Sequence, residues 1–366
     1  MKKILLATLA LAVMFTSCSK EDNGGNETQD NVIVVKLPDN VSLRAVEAQG
    51  SAASTITLAN VTVFLLNGNN VVGAPKTFSG PEITAKSKRI EQASSSVNKV
   101  VVVANIPAGD MSAVNALTTE TAIKNYAFAI ADQNSGIAAV TRMGTGTPAT
   151  AVDLTPDGHN YKAVSVELEP LTARFEIGAV KAGNNVANVT LEGVWINAYY
   201  TNGSKATVKT HNDADPVWYT TPATTSSPFN AAVGTVTMTN TYTVPSYYNA
   251  ASPLVTMTAG SQVYAYQLFA GANIPHLILL VKGEYTTADA SGNKFFLGYV
   301  TFTRFTESGT DISSVLPNTI YKVGVGDIGI EINADDITIW PEMQKFDLGV
   351  TVTTTPWTVK NVTPNI

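Results

Sequence analysis

Few residues of this chain are equipped for chemistry, and where they stand restricts what they can do. The three histidines, His159, His211 and His276, are dispersed, and none lies at a spacing expected of zinc ligands. There is one cysteine, Cys18, so no intrachain disulfide can form. It follows a basic start, Lys2-Lys3, and an apolar run over residues 4–15 too short to stay in a bilayer as a spanning helix. Phe15-Thr16-Ser17-Cys18 then reads as a lipobox, with Phe15 in place of the usual leucine or valine, and it assigns Cys18 to acylation as the mature N-terminus. The competing reading is an ordinary signal peptide with an incidental cysteine. No Gly-x-Ser-x-Gly elbow occurs. Gly324-Val325-Gly326-Asp327-Ile328-Gly329 matches the dinucleotide pattern, but strand-like Ile330-Glu331-Ile332 follows it, and without a helix N-terminus these are turn glycines. Asp213, Asp215, Asp335 and Asp336 are of a type that binds calcium, yet no loop spells the full ligand pattern. The residues point to no enzyme, no metal and no cofactor.

Composition says what kind of framework carries them. A chain of 366 residues has room for one to three domains and a sizeable core. Charged residues make up 14% of it, against a usual level of about 25%. Threonine, serine, asparagine and valine fill the space, as in strands and turns. With 23 basic and 29 acidic residues the net charge is −6, and no basic block exists to form a nucleic-acid footprint.

Turn signals cut the chain into strands. Residues 32–37 form the first, stopped by Pro38-Asp39-Asn40. Residues 56–66 end at Asn67-Gly68-Asn69-Asn70, a strong hairpin signal. Residues 99–106 (KVVVVANI) are a continuous apolar run suited to a strand covered on both faces. One helical segment opens at Pro107-Ala108-Gly109-Asp110, with Asp110 as N-cap and Met111, Val114 and Leu117 at helical spacing. It extends through residues 123–130 and ends at Asn134-Ser135-Gly136. Loop residues dominate positions 148–162 and mark an interdomain boundary there. Strands resume at 164–168, 172–177, 189–199, 263–269, 276–285, 294–305, 320–325 and 328–332. Between them lies a long loop, 212–248, carrying Trp218, Tyr219, Tyr242, Tyr247 and Tyr248. The spacing predicts an all-β chain with one short helical insertion and two β-sandwich domains. No internal repeat is visible in the sequence.

Residues 344–366 stand apart. Phe346, Leu348, Val350 and Val352 recur at strict period two, with Asp347, Gly349, Thr351 and Thr353 between them. Thr355-Pro356 breaks the alternation, and Trp357, Val359 and Val362 follow as a shorter apolar set. A strand this amphipathic at a chain end pairs either with its own sheet or with another molecule's. At the other end, Arg44 is the only basic residue between Lys36 and Lys76. It sits after the first strand among small residues, where an arginine-specific protease could cut an exposed loop, although an isolated arginine of this kind is more often simply solvated.

Taken in order, these features resemble the major fimbrial subunits (fimbrillins) of the type V pili of Bacteroidales. The resemblance rests on the lipobox at Cys18, Arg44 after the first strand, and Val102-Val103-Ala104-Asn105 leading into a helical segment. It continues through Ala173-Arg174-Phe175-Glu176-Ile177, the stretch from Leu316 to Val323, and the Val-Thr-Val-Thr tail before Trp357. Pro317 stands where that family would be expected to have a basic residue. Ser19-Lys20-Glu21-Asp22 likewise resembles the signal that sends Bacteroidetes lipoproteins to the cell surface.

The resemblance implies two transthyretin-like sandwiches: residues 45–162 and 163–343, after a signal peptide (1–18) and a removable segment (19–44), and before a donor strand (344–366). It implies a precursor lipidated at the outer membrane and cut between Arg44 and Ala45 by an arginine-specific protease. Losing the strand that carries Ile33, Val35 and Leu37 would open a groove for Phe346, Leu348, Val350, Val352 and Trp357 of a neighbouring copy. The implied partners are further copies and accessory pilus subunits, and a stalk position in a cell-surface fimbrium. The rival reading is a lipid-anchored glycan-binding sandwich that stacks sugars on Trp218, Tyr219, Tyr247 or Tyr248.

Overall fold

A computed structural model describes residues 31–37, 41–42, 56–134, 140–150, 160–178, 180–197, 199–200, 202–204, 208–209, 217–219, 232–235, 264–272, 274–288, 292, 294–324, 329–338 and 349–356. The described chain is mostly strand, and the strands fall into two sandwiches.

The first sandwich is built from β1 (Asn31–Lys36), β2 (Val61–Asn67), β3 (Ser87–Ala93), β4 (Lys99–Ala104), β5 (Arg142–Gly146) and β6 (Asn160–Ser165). β1 lies between β3, antiparallel to it, and β6, parallel to it. In the opposite sheet β4 lies between β2 and β5, antiparallel to both. Strand pleating explains the run of valines in β4. Val100, Val102 and Ala104 pack with Ile33, Val35 and Leu37 inside the sandwich. Val101 and Val103 face the other way, into a cluster with Phe64, Leu66 and Met143. The strand expected to be covered on both faces is covered on both.

That second cover comes from the insertion, and here the single expected helix is three short ones. After α1 (Gly80–Thr84), a helix the sequence reading missed, come α2 (Met111–Asn115), α3 (Glu120–Asn125) and α4 (Ile130–Gln133). Asp110 makes no side-chain cap to α2; its Oδ1 instead accepts from the Tyr126 hydroxyl at 2.8 Å. Thr119 is extended and starts a new helix, its Oγ1 accepting from the Ala122 N–H at 3.1 Å. Phe128–Ala129 then leaves helix altogether to pair with Asn202–Gly203. Helical spacing holds within each piece, and Val114, Ile123 and Ile130 all reach the same core. The extended residues between the pieces are what break the helix.

The second sandwich comprises β7 (Thr172–Ile177), β8 (Val186–Asn197), β9 (Tyr264–Phe269), β10 (His276–Tyr285), β11 (Phe295–Phe302), β12 (Arg304–Glu307), β13 (Thr319–Val323) and β14 (Gly349–Pro356). One sheet runs β9-β7-β13-β14-β12, and the facing one β8-β10-β11. β7 lies between antiparallel β9 and parallel β13, as β1 lies between antiparallel β3 and parallel β6. The antiparallel set β2-β4-β5 is matched by β8-β10-β11. Six strands therefore recur in the same chain order with the same pairing, a duplication of topology that leaves no visible repeat in sequence.

β6 crosses the division expected at 162/163 and pairs along its whole length with β1, and Glu169–Pro170 pairs with β5. Pairing of the first sandwich thus continues to Pro170. The insertion also fastens it to the second. Besides the Phe128–Ala129 pairing, the Asn134 side chain donates to the Gln267 carbonyl at 2.9 Å and accepts from its N–H at 2.8 Å.

Candidate functional site

The seat of β1 follows from its composition. Asn31-Val32-Ile33-Val34-Val35-Lys36 is β-branched at four successive positions and so favours an extended backbone. Alternation sends Ile33 and Val35 inward, with 1% and 0% of their surface exposed, and Leu37 follows at 4%. Ile33 stands opposite Ile90 of β3, and Val35 opposite Val164 of β6, both buried in the same cluster. Past the strand end, the Leu37 N–H donates to the Lys86 carbonyl at 2.8 Å and the Lys36 carbonyl accepts from the Val166 N–H at 3.1 Å. Outward, Val32 and Val34 form a small second cluster with Tyr161 and Ala163 of β6. Arg89 of β3 completes it, its guanidinium carbon 4.9 Å from the centre of the Tyr161 ring.

The terminal strand answers the question its alternation raised. β14 pairs antiparallel with β13, Val352 opposite Val323, and parallel with β12, Val350 opposite Phe305. Val350 and Val352 are buried at 8% and 2% exposure, while Thr351 is exposed. The greasy and wet faces are as the spacing predicts. In this chain their partner is its own sheet. Phe346, Leu348 and Trp357 lie outside the described residues, as do Cys18, Arg44 and Ala45.

β7, in the place equivalent to β1, is built differently. Arg174 and Glu176 point to one side, both fully buried, with Nη2 to Oε1 at 2.9 Å. Phe175 points to the other, stacked 4.6 Å from Tyr321 and edge-on to Phe305 at 5.5 Å. The Thr172 hydroxyl donates to Gln267 Oε1 at 2.9 Å. Such a strand is held by polar contacts as well as by packing.

Sequence reading missed β3 and with it Arg89. Ser87–Ala93 reads SKRIEQA, in which Ile90 and Ala93 alone are apolar, too sparse an alternation to register as a strand. The pattern is that of a sheet edge with charged residues outward, and the single inward isoleucine is the signal it offers. As for other chemistry, no group of three or more His, Cys, Asp or Glu side chains among the described residues is placed to hold a metal. Gly324 and Gly329 have φ of 62° and 61°, the left-handed region that suits turns, and Ile330–Ile332 is a strand. Of the aromatic loop, Val217–Tyr219 is a short strand paired with Ala232–Thr235. Tyr242, Tyr247 and Tyr248 lie outside the described residues.

No family model and no curated protein matches the sequence. Solved structures do match the fold, over nearly the whole chain. A Bacteroides eggerthii protein named for cell adhesion superposes with a TM-score of 0.53 at 17% identity, covering 90% of this chain and 96% of its own. One from Parabacteroides distasonis, also named for cell adhesion, gives 0.54 at 14% identity, covering 90% and 99%. A fimbrilin of Porphyromonas gingivalis gives 0.50 at 12% identity, covering 91% and 99%. The chain shares with these proteins a two-sandwich, all-β architecture.

Proposed function

We propose that the chain is a structural subunit of a surface fimbria, a fimbrillin that polymerises by replacing one strand with another. The observation that carries this reading is the seat of β1. It is a strand with an apolar centre, residues 32–35, laid between β3 and β6 and paired with both. The shared fold with a fimbrilin and with proteins named for cell adhesion supports the same reading. The precursor is exported and lipidated at Cys18 on the outer membrane. An arginine-specific protease then cuts after Arg44, leaving Ala45 as the new N-terminus, and β1 departs. The vacated slot exposes the inner faces of Ile90 and Val164 and an unpaired ladder on each side, which an extended segment can fill. The segment is the terminal strand of a second copy. Such a contact is head-to-tail, so it grows an open filament. Further copies and accessory pilus subunits are its partners, and possession of both the cut site and the tail favours a stalk position.

The seating of β14 alters the energetics of the exchange. Phe346, Leu348, Val350 and Val352, fully buried, would each contribute about 1.5–3 kcal/mol. Val350 and Val352 are already buried between β12 and β13. Their share is exchanged when the tail moves, and net gain must come from the rest of the tail and from filling the open slot. With β1 and β14 both seated, the β1 slot of an uncut chain is filled and the described part of its tail is already paired.

The test is limited digestion of the full-length chain with an arginine-specific protease, followed by sizing and N-terminal sequencing. A product beginning at Ala45 that forms ladders, and stops forming them when residues 344–366 are deleted, is the expected result. A product beginning at Ala45 that stays monomeric sinks the proposal.

A further inference from the structure

The outer face of the β1 slot carries a device that the inner core does not require. Arg89 and Tyr161 stand on the two strands that flank β1, opposite Val34 and Val32 respectively. Their side chains meet over the intervening strand, with guanidinium and ring 4.9 Å apart. Neighbouring strands are spaced about 4.8 Å apart, so this contact bridges roughly twice that distance, over the backbone of the occupant. Beneath it Val32 keeps 1% of its surface exposed although it points away from the sandwich core. Arg89 Nε also donates to Glu91 Oε1 at 3.1 Å, which holds the guanidinium at the near side of the slot. At least two of the residues involved, Val32 and Val34, are outward-facing valines on a sheet face that would ordinarily be polar.

We propose that Arg89 and Tyr161 form a clasp across the slot that selects its occupant by the outward residue, admitting an uncharged β-branched side chain and resisting a cation. The second occupant it fits is the terminal strand of another copy, which rests on the strand-replacement reading above. Thr351 is the exposed residue of that strand, Gly349 and Thr353 share its parity in the sequence, and threonine has the shape of valine. The wet face of the tail thus reproduces the outer face of β1 with a hydroxyl in place of a methyl. That hydroxyl can lie under a guanidinium and a phenol without the desolvation that a lysine would suffer. A run of threonines serves the tail twice: exposed in its own sheet, as Thr351 is, and enclosed in the neighbour's.

Hydrogen exchange on the intact full-length chain reads the clasp without any need for assembly. Arg89→Ala should speed exchange of the β1 amides about two- to fivefold, the loss of one partly exposed cation–π contact. Val32→Lys should speed it tenfold or more, and adding Arg89→Glu should recover most of that loss, a rescue that generic packing damage would not show. Unchanged exchange in Arg89→Ala, or no rescue in the double variant, overturns the clasp. A second arm uses arginine-specific protease to trigger assembly. Thr351→Lys with Thr353→Lys in the donating copy should cut polymer yield at least tenfold, and Arg89→Glu in the receiving copy should restore it. Equal yield from the lysine-bearing tail overturns the selection. A wild-type chain that is cut and never polymerises overturns strand replacement instead, and the exchange arm still decides the clasp.

Discussion

Strands β1 and β7 hold the same place in two copies of one topology, each flanked by an antiparallel third strand and a parallel late one. β1 enters that place with three valines and an isoleucine between Asn31 and Lys36, and its outer face is covered by a contact between its neighbours. β7 enters it with Arg174 and Glu176 fully buried and paired, Thr172 bonded to Gln267, and Phe175 stacked on Tyr321. Apolar packing is non-directional, so the inner face of the β1 slot makes no demand on a strand beyond the right alternation. Buried charges and hydrogen bonds need their own partners, and a substitute strand would leave them unmatched at a cost of several kcal/mol (on the order of 3–5). Under the proposed strand replacement, the slot that exchanges its occupant is the one whose demands are met by apolar packing, and the slot that keeps its strand is the one with buried polar partners.

The widest expected gap between the two slots comes from removing a single charge. Glu176→Ala should lower stability by about 3–5 kcal/mol in a denaturant titration, because it leaves Arg174 buried without its carboxylate. Replacing both residues with methionine should recover much of that loss. A Glu176→Ala protein as stable as wild type would remove the distinction. In β1 the corresponding change is Ile33→Ala, expected to cost about 2–5 kcal/mol through lost burial and a cavity. Its effect on amide exchange should be concentrated in β1, β3 and β6. The tail offers a smaller test of the same kind. Val352→Ala deletes two buried methyl groups from β14 and should destabilise its seat by about 1.5–2.5 kcal/mol. After cleavage at Arg44 that variant should release its tail more readily, so faster assembly alongside lower stability is the informative pair of readings.

The legible parts of the molecule were those where period and burial agree. The valines of β4 and the alternation at Val350 and Val352 could be read because each side chain faces apolar surroundings or water as its parity requires. The fold class followed from those strands and the turns between them, such as the Asn67–Asn70 hairpin with Gly68 at φ 59°. What could not be read was pairing. Nothing in the sequence of β7 resembles β1, since burial in a sheet centre can be met by an ion pair as well as by valine, so the duplication was invisible. The helices were misjudged because Thr119 and Phe128 serve caps and strand pairing, demands set by neighbours distant in sequence. α1 carried a readable signal that went unused: Ser79-Gly80-Pro81-Glu82 is a capping box, with the Ser79 N–H donating to Glu82 at 2.6 Å. Arg89 was missed because its strand shows one inward isoleucine among charged residues, and its meeting with Tyr161 joins positions 72 apart in the chain.

The smallest predicted effect concerns acid, and it separates the two sandwiches by a different property. Glu120 bonds Lys99 of β4 and Lys124 of α3, each at 2.6 Å, and so ties the insertion to the first sandwich. Burial pushes its carboxyl up, but the hydrogen bonds and charges of Lys124 and Lys99 outweigh that and hold it below the ordinary value of 4.5. Glu82 is held below that value in the same way: burial raises it, and Lys88 and Ser79 more than compensate. A carboxylate with a depressed folded value contributes stability that is complete above the unfolded value and is lost as pH falls through the folded one. Both groups lie on the side of the chain that carries β1. Between neutral pH and about 5, stability should therefore be flat with respect to these groups, and below about 4.5 it should decline. Glu120→Gln should flatten that decline measurably and leave stability near neutral pH lower than wild type, since the neutral amide keeps the shape and loses both ion pairs. Amide exchange in β4 and α3 should show the acid loss before β7 and β9 do. If exchange in β7 rises at the same pH as in β4, Glu120 is not what ties the first sandwich to its insertion, and the two halves open together under acid.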